Sequence, residues 1–193
     1  MMKKMLVVFA LLALAVGSAQ AQSQTSWIGI YSDDLMSSCD AVMNTAYVTV
    51  TVYFYAHMDP AEIDACTSVE FKVANWPGAG GLITQNWDTE LVIGGPATDL
   101  SLAFQVPLAG PDAFLGTVDF FPLSDTWLGN DYQMEIVPGD VGGGGNIIIV
   151  DTNFDEIPVS GCTFTVNCTT GNCSCGCGTA TEVSSWGSVK SLY

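Results

Sequence analysis

The chain has 193 residues, with 20 acidic side chains against four basic ones, a formal net charge of −16 at neutral pH and a pI near 4.1. Such a charge balance repels nucleic acid and anionic lipid, so polyanion-binding functions are excluded first. It fits a solvated, self-repelling exterior that attracts cations.

The N-terminus reads Met1-Met2-Lys3-Lys4, then an apolar run from Met5 to Val16, then Gly17, Ser18 and Ala19-Gln20-Ala21. A basic start, a short apolar stretch and a small-x-small site define a secretory signal peptide, expected over residues 1–21 with Gln22 opening the mature chain. The apolar run falls short of the roughly 20 residues a membrane span needs. No Cys follows the cleavage site, which argues against a lipoprotein anchor, and no later stretch is long and apolar enough to span a bilayer. The mature part, about 170 residues, suffices for one domain with one core. It keeps only Lys72 and Lys190 as bases and has no Arg.

Strand signals then dominate. Trp27 to Tyr31 is a short apolar opening strand. Tyr47 to Ala56 is rich in Val, Thr, Tyr and Phe, which suit a pleated surface. Alternation puts Val48, Val50, Val52 and Phe54 on one face and Tyr47, Thr49, Thr51, Tyr53 and Tyr55 on the other. Pro60 to Cys66 reads as a helical turn or loop, and Val69 to Ala74 as a half-buried strand. Further strands are expected at Leu82–Trp87, Glu90–Ile93, Leu100–Val106, Phe114–Phe121, Tyr132–Val137, Ile147–Val150 and Thr163–Val166. Breakers separate them: Pro77-Gly78, Gly80-Gly81, Gly94-Gly95-Pro96, Gly110-Pro111-Asp112, Gly129-Asn130, Pro138-Gly139-Asp140 and Gly142 to Asn146. Many short, closely spaced strands predict an all-β fold, an immunoglobulin-like or cohesin-like β-sandwich over residues 22–166, closed by a short C-terminal helical segment.

Seven Cys lie in the mature part: Cys39, Cys66, Cys162, Cys168, Cys173, Cys175 and Cys177. Behind a signal peptide they are disulfide candidates, and the odd count leaves at least one thiol over. Cys39 is expected to pair with Cys66, and Cys162 to pair into the Cys-rich linker, residues 167–178. The alternative is a thiolate metal cluster of Cys168, Cys173, Cys175 and Cys177, although the Cys-x-x-Cys pairs usual for zinc are absent.

Residues 179–193 form a different element. Thr179 to Glu182 matches a helix capping box. Val183, Trp186, Val189 and Tyr193 then recur at spacings of three and four, one apolar stripe on a short helix, with Lys190 near its end. So short a helix is marginal alone and must dock on its own domain or on a partner.

The opening Ile28 to Asp33, the strand Val69 to Val73 and the ending Glu182 to Tyr193 carry a resemblance. On these residues the chain is similar to a group of uncharacterised secreted proteins of environmental bacteria. These combine a signal peptide, a β-rich domain and a C-terminal Trp-Gly-x-x-Lys-x-Leu-Tyr ending. The resemblance implies that the ending is a portable sorting or attachment element; it implies no activity and no catalytic residues.

Candidate sites are few. His57, the one histidine, stands close to Asp59, but no Gly-x-Ser-x-Gly elbow accompanies it, so a strand-end histidine is the simpler reading. Asp151, Asn153 and Asp155 place oxygen ligands at alternate positions, like the start of a calcium loop. Glu156 and Cys162 stand where an EF-hand needs Gly and Glu, and a polar turn explains the run equally. Asp33, Asp34 and Asp40 near Cys39 could form a carboxylate pair for glycoside hydrolysis, though nothing in sequence fixes their separation. Trp76, Trp87, Trp127 and Tyr132, near loops or strand ends, could stack on sugar rings or simply pack. Gly142 to Gly145 lacks the Lys-Ser/Thr of a phosphate loop.

The expectation is therefore a secreted or cell-surface structural or adhesive protein without catalytic activity. Its partner, at the cell envelope or in the secretion machinery, is expected to be met through the C-terminal segment. The alternative is an extracellular carbohydrate- or calcium-binding β-sandwich module; no other cofactor is expected.

Overall fold

The alternating Val, Thr, Tyr and Phe residues fold as read, into strands that are apolar on their inner side. A computed structural model describes residues 25–140, 143–170, 173 and 175–177. The signal peptide expected at 1–21 and the C-terminal helical segment expected at 179–193, with Val183, Trp186, Val189 and Tyr193, lie outside the described residues.

Among the described residues the chain is all-β, apart from one 3-10 turn at Gly143–Gly145. The strands are β1 Trp27–Tyr31, β2 Asp40–Ala41, β3 Val50–His57, β4 Ala65–Ala74, β5 Gly81–Trp87 and β6 Leu91–Gly94. They continue with β7 Leu100–Ala109, β8 Asp112–Pro122, β9 Tyr132–Val137, β10 Ile147–Val150, β11 Glu156–Gly161 and β12 Thr163–Val166. A front sheet runs β11-β1-β3-β8-β5. A back sheet runs β6-β7-β4-β10-β11. β4 leaves β7 and β10 after Phe71, and its end, Lys72 to Ala74, pairs β9, which leads to β12 and β2. The β1–β11 and β2–β12 pairs are parallel; the others are antiparallel.

The core lies between these sheets. On β3, Val52, Phe54 and Ala56 are buried while Thr51, Tyr53 and Tyr55 are half-buried on the outer side. Phe54 stacks on Phe71 of β4 with ring centroids 6.1 Å apart, and Trp87 meets it edge-on at 5.2 Å. Phe120 of β8 packs against Trp76 and Trp127 at 5.6 and 6.1 Å. The strand predicted from Tyr47 begins only at Val50, because Tyr47 takes a left-handed backbone (φ 64°) in the preceding turn.

A bulge in β8 shapes the front sheet. The register passes from Phe54 opposite Gly116 to Tyr55 opposite Phe114, so Leu115 is the extra residue and points into the core. Gly116 has φ 150°, and a Cβ there would lie 2.6 Å from the Asn86 carbonyl oxygen. Only glycine lets β5 approach so closely.

Two strands escaped the sequence reading. β2 is only two residues long. β11 contains Pro158 and ends on Gly161, both of which read as breakers. The amide N–H groups of Ser160 and Cys162 donate to the carbonyls of Ser26 and Ile28 along β1. The position of Pro158 on that edge precedes the start of β1, so its missing N–H breaks no rung there.

The cysteines correct one expectation. Cys39 bridges Cys175, not Cys66; Cys162 bridges Cys177; and Cys168 bridges Cys173. Cys39 leads into β2, which lies against β12, the strand that feeds the Cys-rich tail. Cys66 opens β4 beside β7, where it stays a free, fully buried thiol whose Sγ donates to the Ser68 carbonyl. Burial pushes that thiol up to about 12, so it remains protonated and unreactive. All four tail cysteines thus stand in disulfides rather than as a set of free thiols.

Candidate binding face

The outer side of the front sheet gathers aromatic residues from three adjacent strands. Register sets Trp27 beside His57 and His57 beside Asp112 in one row. The next row holds Gly29, Tyr55 and Phe114, and the third Tyr31, Tyr53 and Thr117. The Trp27 indole stacks on the His57 ring, with centroids 3.9 Å apart and planes 20° apart. His57 Nδ1 lies 2.6 Å from Asp112 Oδ1. Tyr31 folds back over Gly29, where any side chain would strike its ring, and the Trp27 Nε1–H donates to its hydroxyl at 3.1 Å. Tyr55 meets Tyr31 edge-on at 6.1 Å and Phe114 at 5.3 Å, and its hydroxyl donates to the Asp34 carbonyl. Burial raises the Tyr31 and Tyr55 hydroxyls above their ordinary value, and both stay protonated at neutral pH.

A polar band continues this face. The Thr51 hydroxyl donates to Asp119 Oδ1 at 2.6 Å, and the Asn86 amide donates to Asp119 Oδ2 at 3.3 Å. One face thus offers ring surfaces and, beside them, hydroxyl, amide and carboxylate groups. Rings present an apolar π face to C–H groups, and the polar band can exchange hydrogen bonds with hydroxyls.

The residues singled out in the sequence behave differently. His57 pairs with Asp112 across β8 rather than with Asp59, whose carboxylate instead accepts the Ala61 amide. The ring's described partners are Trp27 and Asp112, an arrangement that braces two strands to β1. Trp76, Trp87, Trp127 and Tyr132 pack against the core. The aromatic face was half legible: the period-two pattern of β3 separates Tyr53 and Tyr55 from the core, but nothing local announces that Trp27, Tyr31 and Phe114 join them.

Several acidic candidates serve their own loops. Asp33 accepts the Leu35 and Ser37 amides and the Ser37 hydroxyl; these bonds, led by the hydroxyl, hold its carboxyl below the usual range. Asp40 accepts the Ser38 hydroxyl at 2.8 Å. Asp151 Oδ1 accepts the amides of Asn153 and Asp155, both at 2.8 Å, and its Oδ2 accepts the Asn153 side chain. The Asp155 amide bond, first among these, keeps the Asp151 carboxyl low. A lowered carboxyl stabilises the fold above its unfolded-state value, and that contribution is lost as pH falls through the folded value. The amide shifts of Asn153 and Asp155 should therefore titrate together below the ordinary aspartate range. In Asp151→Asn the Asn153 amide should lose that step when followed by NMR.

Glu70 is pushed upward by burial first, then by the charges of Asp99 and Glu156.

No protein-family model and no curated protein matches the sequence. Among solved structures the chain is similar to a non-cellulosomal cohesin from Archaeoglobus fulgidus, at 14% identity and TM-score 0.40, covering 74% of this chain and 91% of that one. It is similar also to a cohesin module of a family 33 glycoside hydrolase from Clostridium perfringens, at 10% identity and TM-score 0.44, covering 76% and 99%. A third is the third cohesin of ScaC from Acetivibrio cellulolyticus, solved in complex with the ScaB dockerin, at 11% identity and TM-score 0.44, covering 73% and 96%.

Proposed function

We propose that this chain is a non-catalytic adhesive module that works outside the cytoplasm and holds uncharged, hydroxyl-rich polysaccharide on the outer face of its front sheet. The observation that carries the reading is the grouping of the half-buried Trp27, Tyr53, Tyr55 and Phe114 on the outer side of three neighbouring strands, with Tyr31, itself only 4% exposed, packed among them. A sheet that faces water on one side ordinarily alternates to polar residues there. Asp112 and Asp119 on this face, and the net charge of −16, disfavour anionic polymers and leave uncharged glycans as the matching class. Disulfide bridges fit an oxidising compartment.

Trp27→Ala should weaken binding to soluble neutral polysaccharide about tenfold, the loss expected of an aromatic anchor. Retardation in polysaccharide-containing native gels measures it, with Trp76→Phe as the control on the core side. Unchanged binding by Trp27→Ala and Tyr53→Ala would sink the reading.

Residues 179–193 are assigned the attachment to a cell-envelope or secretion-machinery partner. The support is their origin just past Cys177, which is covalently held to Cys162. Deleting them should release the protein from the cell surface into the medium; surface retention by the truncated chain would remove the assignment.

A further inference from the structure

The outer face of the back sheet contains a trough of about 180 Å³. Leu91 and Ile93 of β6 and Ile148 and Val150 of β10 line it, together with Glu70 of β4 and Glu156 of β11. Leu91 and Ile93 are 57% and 67% exposed on a strand that, among the described residues, pairs only with β7. Among the described residues Glu70 Oε1 is buried and lacks a hydrogen-bond partner. Lys72, two residues along the same face, is held by both carboxylate oxygens of Asp140 at 2.9 and 2.8 Å. A buried acceptor beside a largely apolar trough, with the carboxylates of Asp99 and Glu156 adding negative charge near it, matches a cation carried on an apolar stem.

The body of the protein repels a second copy of itself, since it holds all but one of the 20 acidic residues and a single lysine. The chain after Cys177 escapes that repulsion, since Lys190 balances its single acid, Glu182, and it carries the apolar Val183, Trp186, Val189 and Tyr193. Its starting point is also suitable. Cys177 is bonded to Cys162, just past the end of β11, and Glu156 at the other end of β11 borders the trough. Six residues of strand span about 20 Å. The 13 residues from Cys177 to Lys190 cover about 20 Å as helix and up to about 43 Å extended, so either form reaches.

We propose that residues 178–193 dock in the trough of their own molecule, with Lys190 against Glu70 and the apolar residues against Leu91 and Ile93. Docking there shields the stripe from water until an attachment partner takes it, and it leaves the front face open to glycan.

Zero-length carbodiimide coupling of the oxidised full-length mature protein tests this, read by peptide mass spectrometry on a mixture of isotope-labelled and unlabelled copies. The Lys72–Asp140 pair supplies an internal control for the fold of this face. The expected product is an amide between Lys190 and Glu70 within single copies. It should vanish in Glu70→Gln and fall about tenfold, equivalent to about 1.4 kcal/mol, in Leu91→Ser/Ile93→Ser. Coupling of Lys72 to Asp140 without coupling of Lys190 to Glu70 overturns the proposal. So does a Lys190 product formed only outside the trough or only between labelled and unlabelled copies.

Discussion

Replacing Cys39 and Cys175 together by alanine should lower stability by about 3–5 kcal/mol, because the bridge closes a very long loop in the unfolded chain. The two cysteines are 136 residues apart, so cutting the bridge frees nearly the whole domain to expand when it unfolds. Cys39 is also buried, at 2% exposure, where the bridge ties the strand at one edge of the sheet path to the tail. The matching change at Cys168 and Cys173, only five residues apart, should cost about 2 kcal/mol or less. Denaturant unfolding of the two variants under oxidising conditions gives both numbers. Equal losses would mean that the long bridge does not stabilise the fold through its loop.

Phe54→Ala should be nearly as damaging, at about 4 kcal/mol, since it empties a fully buried position between the sheets. Its ring lies against Phe71 of the facing sheet and Trp87 of β5, so the cavity opens at the centre of the core. Tyr53→Ala, one residue earlier on the same strand, should cost under about 1 kcal/mol, because that side chain lies on the outer face. Thermal or chemical unfolding of this pair checks the register directly. A slip by one residue would exchange the two faces and reverse the order of the losses.

Much of the fold was legible because its strands are locally consistent. The limits of β1, β9, β10 and β12 coincide with runs read from alternation or apolar content, Trp27–Tyr31, Tyr132–Val137, Ile147–Val150 and Thr163–Val166. β11 was hidden because Pro158 and Gly161 signal a break, and only the position of β1 makes them tolerable. Cysteine pairing depended in the same way on a long-range fact, the parallel contact of β2 with β12. The candidate face was less legible than the core. Burial leaves a periodic imprint along each strand, whereas the row Trp27, His57, Asp112 joins residues up to 85 positions apart and exists only through strand register. The tryptophans that looked most available for sugar, Trp76, Trp87 and Trp127, are those the core uses.

The most direct test of the adhesive reading is hydrogen exchange with and without a soluble fragment of the bound polysaccharide at saturation. Protection confined to 27–31, 53–57 and 112–117 is the predicted result. Protection on β6 and β7 instead, or no protection anywhere, would contradict the assignment of the front face.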